Sequence, residues 1–527
     1  MSDSRTKNSS RNIIFSLMAY MLQVVLGFFV RRYFIYVFGT EYLGLNSLFT
    51  NVISILSLVE LGFGTALVFA MYKPMADGDK EKVRQLLHFY KISYMLIGSI
   101  IGVIGLCVLP FMNYFQAKAP SVEVNLYVIY LVHLFNTVVS YFFAYRRSLL
   151  YVSQRNDIES KVGIFCSLLS SSLQMIVLLF IKNYYVYACI SIISTILSNA
   201  LIYFITQKKY PDLVLKPQTY LDKEDRKQIN KNIFAMLLHK IGGTVVYSTD
   251  SLIIYLMFDA LTLGKYSNYL LITSYVTAII NIFLNAIRGS VGNSIASESV
   301  ERNYALFKKL NFIYLWGVTF CSVAIFSLSN PFINIVLNKS AGDLTFGTPI
   351  IALISLSFFM LHIRYMVCIF KECKGLFYED RLKPLLEAII NLVVSIVLAY
   401  YIGLAGVIIG TIASDLLCII VEPYVVNKHY FHQSTPKYLL KLLYYFAVTV
   451  MTSTIMHFVL SLIPDLNLWT LVLKFAICAV LPNIILLLCL CWMPEFKQCF
   501  NWAKQILKSR KLNKPTDGPQ QELDSST

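Results

Sequence analysis

Charged residues are scarce in this sequence. Only 14% of the 527 residues are Asp, Glu, Lys or Arg, whereas a soluble domain carries about 25%. Hydrophobic residues make up 57% of the chain. This composition excludes a soluble globular enzyme, a disordered chain and a nucleic-acid-binding factor, although the formal net charge is +16.

Signatures of several common chemistries are also absent. The eleven cysteines include no C-x-x-C pair, and the chain has neither a Walker A loop nor a recognisable pairing of a nucleophile with a base. The triplet Asp77-Gly78-Asp79 matches the DxD motif of some metal-dependent glycosyltransferases, but such a triplet arises easily by chance in a charged turn. We therefore expect no metal, no cofactor and no enzymatic activity.

What the sequence does contain is a series of apolar segments of membrane-crossing length. About 20 helical residues cross the roughly 30 Å of hydrocarbon in a bilayer. The sequence therefore predicts an all-α integral membrane protein with about fourteen transmembrane helices. The predicted spans are 12–38, 45–70, 90–112, 124–144, 161–181, 184–206, 232–258, 263–287, 310–329, 348–370, 383–402, 404–424, 439–461 and 468–490.

The basic residues are distributed unevenly between the two sides of this topology. Of the 45 Lys and Arg residues, 37 lie in segments that face one side and 4 in segments that face the other. The positive-inside rule then predicts that both termini are cytoplasmic. The first apolar run lacks a small-x-small cleavage site, so we expect a genuine first span rather than a cleaved signal.

Weak internal matches indicate a repeat. A shift of 220 residues places Leu43-Gly44 on Leu263-Gly264, and a shift of 221 places Pro110-Phe111 on Pro331-Phe332. Copies separated by six spans start on the same side, which predicts two parallel six-helix lobes followed by two extra helices. The predicted units are an N-lobe at 1–206, a cytoplasmic linker at 207–231, a C-lobe at 232–424, two further spans within 439–490 and a cytoplasmic tail at 491–527.

Polar residues in spans 1, 2, 7 and 8 recur every three or four positions, so in each span they share one helical face. These four spans are equivalent pairs under the repeat. Polar faces within the membrane are costly unless they line a cavity, so they predict a water-filled cleft between the lobes. The residues expected to line it are Gln23, Asn46, His239, Tyr247 and Asn281.

Four cations are candidates for binding cargo in this cleft: Arg31, Lys240, Arg288 and Arg364. Several cations in one cleft favour an anionic cargo, and a pyrophosphate fits best. Two alternatives remain open. Arg31 is also placed to act as a structural partner of Glu60, and Arg288 and Arg364 also fit ordinary positive-inside charges.

Two carboxylates within the predicted spans, Asp250 and Glu60, are candidates for coupling transport to H⁺ or Na⁺. Structural roles are the alternatives. Asp250 has Lys240 or His239 as a possible ion-pair partner on its own helix, and Glu60 has a possible bond to a neighbouring helix.

Several stretches resemble the Wzx-type polysaccharide repeat-unit flippases. These are FFVRRYFIYVFGTEYLGLNSLFTNVISILSLVELGFGTALVFAMYKPMADGDKEKVRQL near the start, STDSLII (248–254), LGKYSNYLLI (263–272), GLFYEDRLKPLLEAIINLVVSIVLAYYIGLAGVIIGTI (375–412) and VEPYVV (421–426). The resemblance covers about residues 8–490. It places the chain in the polysaccharide transporter family, within the superfamily that includes the multidrug-and-toxin extruders and the lipid II flippase.

The resemblance implies two V-shaped six-helix lobes around a central cavity. It implies translocation of an undecaprenyl-pyrophosphate-linked oligosaccharide across the bacterial inner membrane by alternating access, for capsule, exopolysaccharide or O-antigen assembly. Arg31 is similar to a cavity arginine of this family, although Arg32 beside it leaves the correspondence open. Asp250 matches the STD motif.

The expected partners are the lipid-linked oligosaccharide, membrane lipid and the polysaccharide polymerase machinery. Two other functions fit the same topology. One is a cation-coupled multidrug extruder, which predicts a cavity dominated by carboxylates. The other is a membrane enzyme or scaffold that acts on the same lipid.

Overall fold

The computed structural model describes residues 2–60, 63–153, 155–337 and 344–512, with side chains except those of 2–19, 59, 156, 228, 231–232, 234–247, 503 and 505–512. The described residues form α-helices joined by short turns and contain no β-strand, which confirms the all-α prediction. The α-helices are α1 (Ser2–Phe38), α2 (Thr40–Leu56), α3 (Phe63–Asp77), α4 (Lys80–Leu106), α5 (Met112–Ala117), α6 (Leu126–Ala144), α7 (Arg147–Val152), α8 (Asn156–Ile176), α9 (Tyr184–Lys209), α10 (Lys223–Met257), α11 (Ala260–Ser297), α12 (Val300–Phe332), α13 (Thr348–Ile363), α14 (Tyr365–Lys374), α15 (Lys383–Ile402), α16 (Leu404–Val426), α17 (Thr435–Ser461), α18 (Leu468–Leu490) and α19 (Pro494–Leu512).

Side-chain caps fix where several of these helices begin. Asp79, Asn125, Asn183 and Asp259 each accept hydrogen bonds from backbone N–H groups in the first turn of α4, α6, α9 and α11. Such bonds satisfy donors that have no partner within the helix. The second aspartate of the DxD triplet therefore serves as a helix cap.

Twelve segments of the described chain are long and apolar enough to cross a membrane. The predicted spans 45–70 and 232–258 are not among them. The first is interrupted, because α2 ends at Leu56 and is followed by a 3₁₀ turn at Ser57–Glu60. The second lies in α10, where the side chains of 234–247 lie outside the described part of the chain, so this span stays a prediction.

The helices pack as two bundles, which we call the N-bundle (α1–α9) and the C-bundle (α10–α16). Within the N-bundle α6 packs on α4 and α9, and α8 packs on α1 and α9; within the C-bundle α15 packs on α10 and α16. Helix α2 crosses between the bundles and contacts α10 and α11. Helices α17, α18 and α19 pack on α12.

The crossing of α2 and α11 depends on two glycines. A Cβ on Gly44 would lie 1.9 Å from the carbonyl oxygen of Ala260, and one on Gly264 would lie 2.1 Å from that of Thr40. Both pairs, 44 with 264 and 40 with 260, differ by the 220 residues of the predicted repeat. A two-fold relation produces reciprocal contacts of this kind, so the crossing fits the repeat, which stays a prediction.

Candidate functional site

A cavity of about 500 Å³ lies between the two bundles. We call it the Arg31 cavity, because among the described side chains that line it Arg31 is the only charged one. Helices α1, α2, α8, α9 and α11 form its walls. Its polar lining includes Asn46, Ser47, Thr50, Asn51, Gln174 and Ser274.

Arg31 reaches from α1 to the opposite bundle. Its Nε donates to Asn268 Oδ1 at 2.7 Å, and its Nη2 donates to Ser267 Oγ at 2.5 Å. Both acceptors lie in the first turns of α11 and are buried. Because both are neutral, they orient the guanidinium without compensating its charge, which stays available to an anion in the cavity.

This geometry decides two alternatives that the sequence left open. Arg31, rather than Arg32, lines the cavity between the bundles. Arg31 is bonded to α11 and does not pair with Glu60. The carboxylate of Glu60 instead accepts hydrogen bonds from the hydroxyls of Tyr94 and, at 3.2 Å, Tyr141. Glu60 is thus held inside the N-bundle, away from the lining of the Arg31 cavity.

Asn46 lines the Arg31 cavity as its position on the polar face of span 2 predicts. Its Oδ1 lies 3.2 Å from Nε2 of His133 and accepts a hydrogen bond from the hydroxyl of Tyr184. Gln23 is half-buried on α1, two turns before Arg31, and is not among the residues that line the cavity.

A second cavity, of about 390 Å³, lies within the C-bundle, and we call it the C-bundle cavity. It brings together three of the predicted residues: Asn281 and Arg288 on α11, and Arg364 between α13 and α14. Arg288 forms an ion pair with Glu372 at 2.7 Å; the Arg288 side chain is exposed and that of Glu372 is half-buried. Helix α11 therefore lines both cavities, one with its first half and the other with its second half.

Arg364 lies in a buried ion network. Its guanidinium is 3.0 Å from Glu387, 3.3 Å from Asp415 and 3.0 Å from Glu422. All four side chains are at most 9% exposed. With three carboxylates around it, the charge of Arg364 is compensated from within the C-bundle. This arrangement favours a structural role for Arg364 over contact with an anionic cargo.

Two lysines extend the network. Lys383 lies 2.6 Å from Glu422 and 3.5 Å from Glu387, and Lys371 pairs with Asp380. These contacts join α13, α14, α15 and α16, so the network fixes one end of the C-bundle.

The described side chains that bond to Asp250 are neutral. Its carboxylate accepts hydrogen bonds from Asn391 Nδ2, at 3.3 Å, and from Thr411 Oγ1, which lie on α15 and α16. Asp250 is 6% exposed. The other predicted residues on this helix, His239, Lys240 and Tyr247, have side chains outside the described part of the chain, so the predicted pairing of Asp250 with Lys240 or His239 stays untested.

Several contacts of these residues were not predicted from the sequence. Asn268 was not assigned as a partner of Arg31, nor were Asn391 and Thr411 assigned as partners of Asp250. Helical spacing shows which residues share a face, but it does not show which helix lies opposite. Gln174 and the serines of α8 could have been predicted as cavity residues, because they recur every three or four positions like the polar residues of span 1.

Comparison with protein families gives one match. The model of a family described as polysaccharide biosynthesis protein matches residues 9–287, which is more than half of the chain. A comparison with curated protein sequences returns no match.

Comparison with solved structures identifies the fold. The lipid II flippase MurJ, in an inward closed conformation, aligns with a TM-score of 0.64 and 14% identity over 90% of this chain and 98% of that one. An inward-facing multidrug resistance MATE family transporter of the MOP superfamily gives a TM-score of 0.60 and 15% identity over 79% and 98%. The Vibrio cholerae MATE transporter VcmN in the bent form gives 0.52 and 11% over 81% and 98%.

Proposed function

The chain belongs to the polysaccharide biosynthesis protein family, and from that premise we propose that it is a flippase for a lipid-linked oligosaccharide. The cargo in this proposal is an undecaprenyl-pyrophosphate-linked repeat unit. It moves from the cytoplasmic to the outer leaflet of the bacterial inner membrane, where polymerase machinery builds capsule, exopolysaccharide or O-antigen. The family, the twelve candidate spans and the MurJ-like fold support a multi-pass membrane transporter or flippase.

The observation that carries the choice of cargo is the Arg31 cavity. It has one arginine held by neutral groups, an otherwise uncharged polar lining and a position between the two bundles. A pyrophosphate supplies the compensating charge that Ser267 and Asn268 do not. Polar side chains around the arginine suit the sugar, and the undecaprenyl tail stays in the bilayer beside the bundles.

The hydrogen bonds of Arg31 suggest how cargo binding moves the two bundles. Its two hydrogen bonds join the N-bundle to the C-bundle. When the pyrophosphate binds the guanidinium, it competes for these bonds and weakens the link between the bundles. The bundles then rock to open the cavity outwards. Arg288, at the C-bundle cavity, and Lys240 are secondary phosphate contacts in this scheme, whereas Arg364 supports the wall that carries Arg288.

Asp250 is the proposed coupling site. A buried carboxylate with only neutral donors around it is costly unless it takes up a proton or a cation. The hydroxyl oxygen of Thr411 beside it suits a bound H⁺ or Na⁺. Glu60 is the weaker candidate, because two tyrosine hydroxyls already bond to it.

The test is a leaflet-resolved assay of lipid-linked oligosaccharide in cells that lack the protein. Wild type, Arg31→Ala and Asp250→Asn are each restored at equal membrane levels. We expect the lipid-linked intermediate to accumulate in the inner leaflet and only wild type to clear it. Absence of accumulation in the deletion strain would refute the proposed cargo.

The multidrug extruder is disfavoured by the same cavity. Cationic drugs need carboxylates, and none occurs among the described side chains that line the Arg31 cavity. A drug-susceptibility panel on the deletion strain separates the two functions. A membrane enzyme acting on the same lipid would instead change it covalently, which product analysis with the purified protein detects.

A further inference from the structure

A second polar space opens within the N-bundle, between α6, α8 and α9. It has a volume of about 530 Å³, and we call it the hydroxyl groove. Eight serine or threonine hydroxyls line it, together with the amides of Asn136 and Gln174 and one charged residue, Arg147. Its described lining contains no carboxylate and no aromatic ring.

Three helices each turn one polar face to this groove. On α8 the lining residues include Ser167, Ser170, Ser171 and Gln174, which recur every three or four positions. On α9 they are Ser191, Ser194, Thr195 and Ser198, with the same spacing. Residues at these intervals share one side of a helix.

Many polar groups of the groove have no protein partner. The structure gives no hydrogen bond to the side chains of Ser167, Ser170 and Thr195, all of which are described. Asn136 Oδ1 and Arg147 Nε are fully buried atoms without a partner. Such atoms cost free energy unless water or a ligand satisfies them.

Arg147 is fixed from behind by a buried residue. Its Nη2 donates to Ser198 Oγ and Asn199 Oδ1, both at 3.1 Å. Asn199 is 3% exposed, and its own Nδ2 has no partner. This wall of the groove thus retains donors that the protein does not use.

The hydroxyl groove adjoins the Arg31 cavity. Ser171 and Gln174 line both spaces. The helices that form the groove are among those long and apolar enough to cross a membrane, where a polar surface of this size is not tolerated against lipid. The groove and the Arg31 cavity are therefore two adjoining polar spaces, one lined by Arg31 and the other by Arg147, which pairs with Glu159 at 3.6 Å.

We propose that the hydroxyl groove is the glycan subsite: it binds the sugar moiety of the cargo while Arg31 binds the pyrophosphate. This inference rests on the proposed function. A sugar presents many hydroxyls, each a donor and an acceptor, and the groove offers both kinds of partner without a net negative charge. Because no aromatic ring is available for stacking, recognition depends on hydrogen bonds. The residues of α8 and α9 therefore determine which repeat unit is accepted.

The test compares two lipids on the purified full-length protein. One is the lipid-linked oligosaccharide extracted from cells that lack this protein, and the other is undecaprenyl pyrophosphate without sugar. We expect wild type to bind the glycosylated lipid about tenfold more tightly. Ser170→Leu fills the groove and removes this preference, while its affinity for the bare lipid stays at the wild-type value.

Ser172→Leu is the matched control. Ser172 is the exposed residue two positions further along α8, and its hydroxyl bonds back to Leu168 O at 2.9 Å, so the change adds the same bulk outside the groove. This variant retains the preference. Ser194→Leu, on the facing helix, repeats the test if Ser170→Leu does not fold.

The outcomes separate the two proposals. If wild type binds both lipids equally, or if groove-filling variants keep the preference, the glycan subsite is refuted and the groove holds only water. If wild type binds neither lipid, the proposed cargo itself fails. If Arg31→Met loses both lipids while Ser170→Leu loses only the preference for sugar, both proposals stand.

Discussion

Arg31 and Arg364 are two arginines of the helical core that meet opposite surroundings. Arg31 lies between the bundles and is held by one amide and one hydroxyl oxygen. Arg364 lies inside the C-bundle and is surrounded by three carboxylates. Both line cavities, and both are bonded to residues far away in the sequence. They differ in whether the protein itself compensates the charge.

This difference separates binding from structure. A buried cation whose counter-ions are built in stabilises the helices that carry them, and a further anion would have to displace those counter-ions. A cation oriented by neutral groups keeps its attraction for an external anion. The two arginines are thus assigned different functions by their partners rather than by their position within the helices.

The largest expected effect comes from breaking the ion network. Replacement of Arg364 by Met leaves Asp415 without its cation and removes one of the cations beside Glu387 and Glu422, and breaking one buried pair alone costs about 3–5 kcal/mol. We expect Arg364→Met to lower the thermal unfolding temperature strongly in detergent, or to reduce the amount of folded protein. Arg31→Met, measured in parallel, should unfold close to wild type. An equal loss of thermal stability in both variants would contradict the different roles assigned to Arg31 and Arg364.

The helix crossing that positions the partners of Arg31 is the next target. A methyl group at Gly264 would overlap the carbonyl of Thr40, so α11 must move away from α2. We expect Gly264→Ala to destabilise the protein by about 1–3 kcal/mol, as overpacking does, and to impair transport.

Gly317→Ala provides the control for this change. Gly317 lies within α12, and a Cβ there has nothing within 4 Å. Alanine favours a helix by up to about 1 kcal/mol relative to glycine, so this variant should melt at or slightly above the wild-type temperature. If Gly264→Ala melts at the same temperature as Gly317→Ala, the close crossing of α2 and α11 is wrong.

A third change converts the Arg31 environment into one like that of Arg364. Asn268→Asp places a carboxylate at the atom that now bonds to Arg31 Nε, with almost no change in shape. We expect translocation of the lipid-linked oligosaccharide to fall about tenfold, which corresponds to about 1.4 kcal/mol, while thermal stability is maintained. Transport at the wild-type rate would show that the free charge of Arg31 is not needed.

The smallest effect is expected at the rim of the C-bundle cavity. The pair of Arg288 with Glu372 is partly exposed, and ion pairs at the surface contribute about 0–1 kcal/mol. Glu372→Gln should therefore leave the unfolding temperature nearly unchanged. If Arg288 contacts phosphate, this variant should also bind undecaprenyl pyrophosphate slightly more tightly at low salt. A large loss of stability would place the pair in the buried network instead.

Hydropathy and charge distribution were sufficient to predict the helical membrane protein, because both follow directly from the solvent that the helices face. The positions of Arg31 and Asn46 on polar faces also followed from spacing. The interruption of predicted span 45–70 could not be predicted, because the turn after Leu56 forms within a segment that is still largely apolar.

The partners of each charged residue were beyond sequence reasoning. The sequence left Arg364 open as a cargo-binding cation or an ordinary positive-inside charge, and spacing alone gave no sign that Glu422, 58 positions away, would approach it. Contacts of this kind depend on which helices become neighbours. Only the packed structure shows whether carboxylates compensate the charge of an arginine. The choice between a binding role and a structural role for that arginine therefore depends on the packed structure too.

The central claim is that the guanidinium of Arg31 binds the pyrophosphate during translocation. The most direct test reconstitutes wild type, Arg31→Met and the adjacent Arg32→Met in proteoliposomes and measures transfer of the lipid-linked oligosaccharide between leaflets. We predict transfer by wild type and Arg32→Met and no transfer above protein-free vesicles by Arg31→Met. Transfer by Arg31→Met at the wild-type rate would contradict the claim.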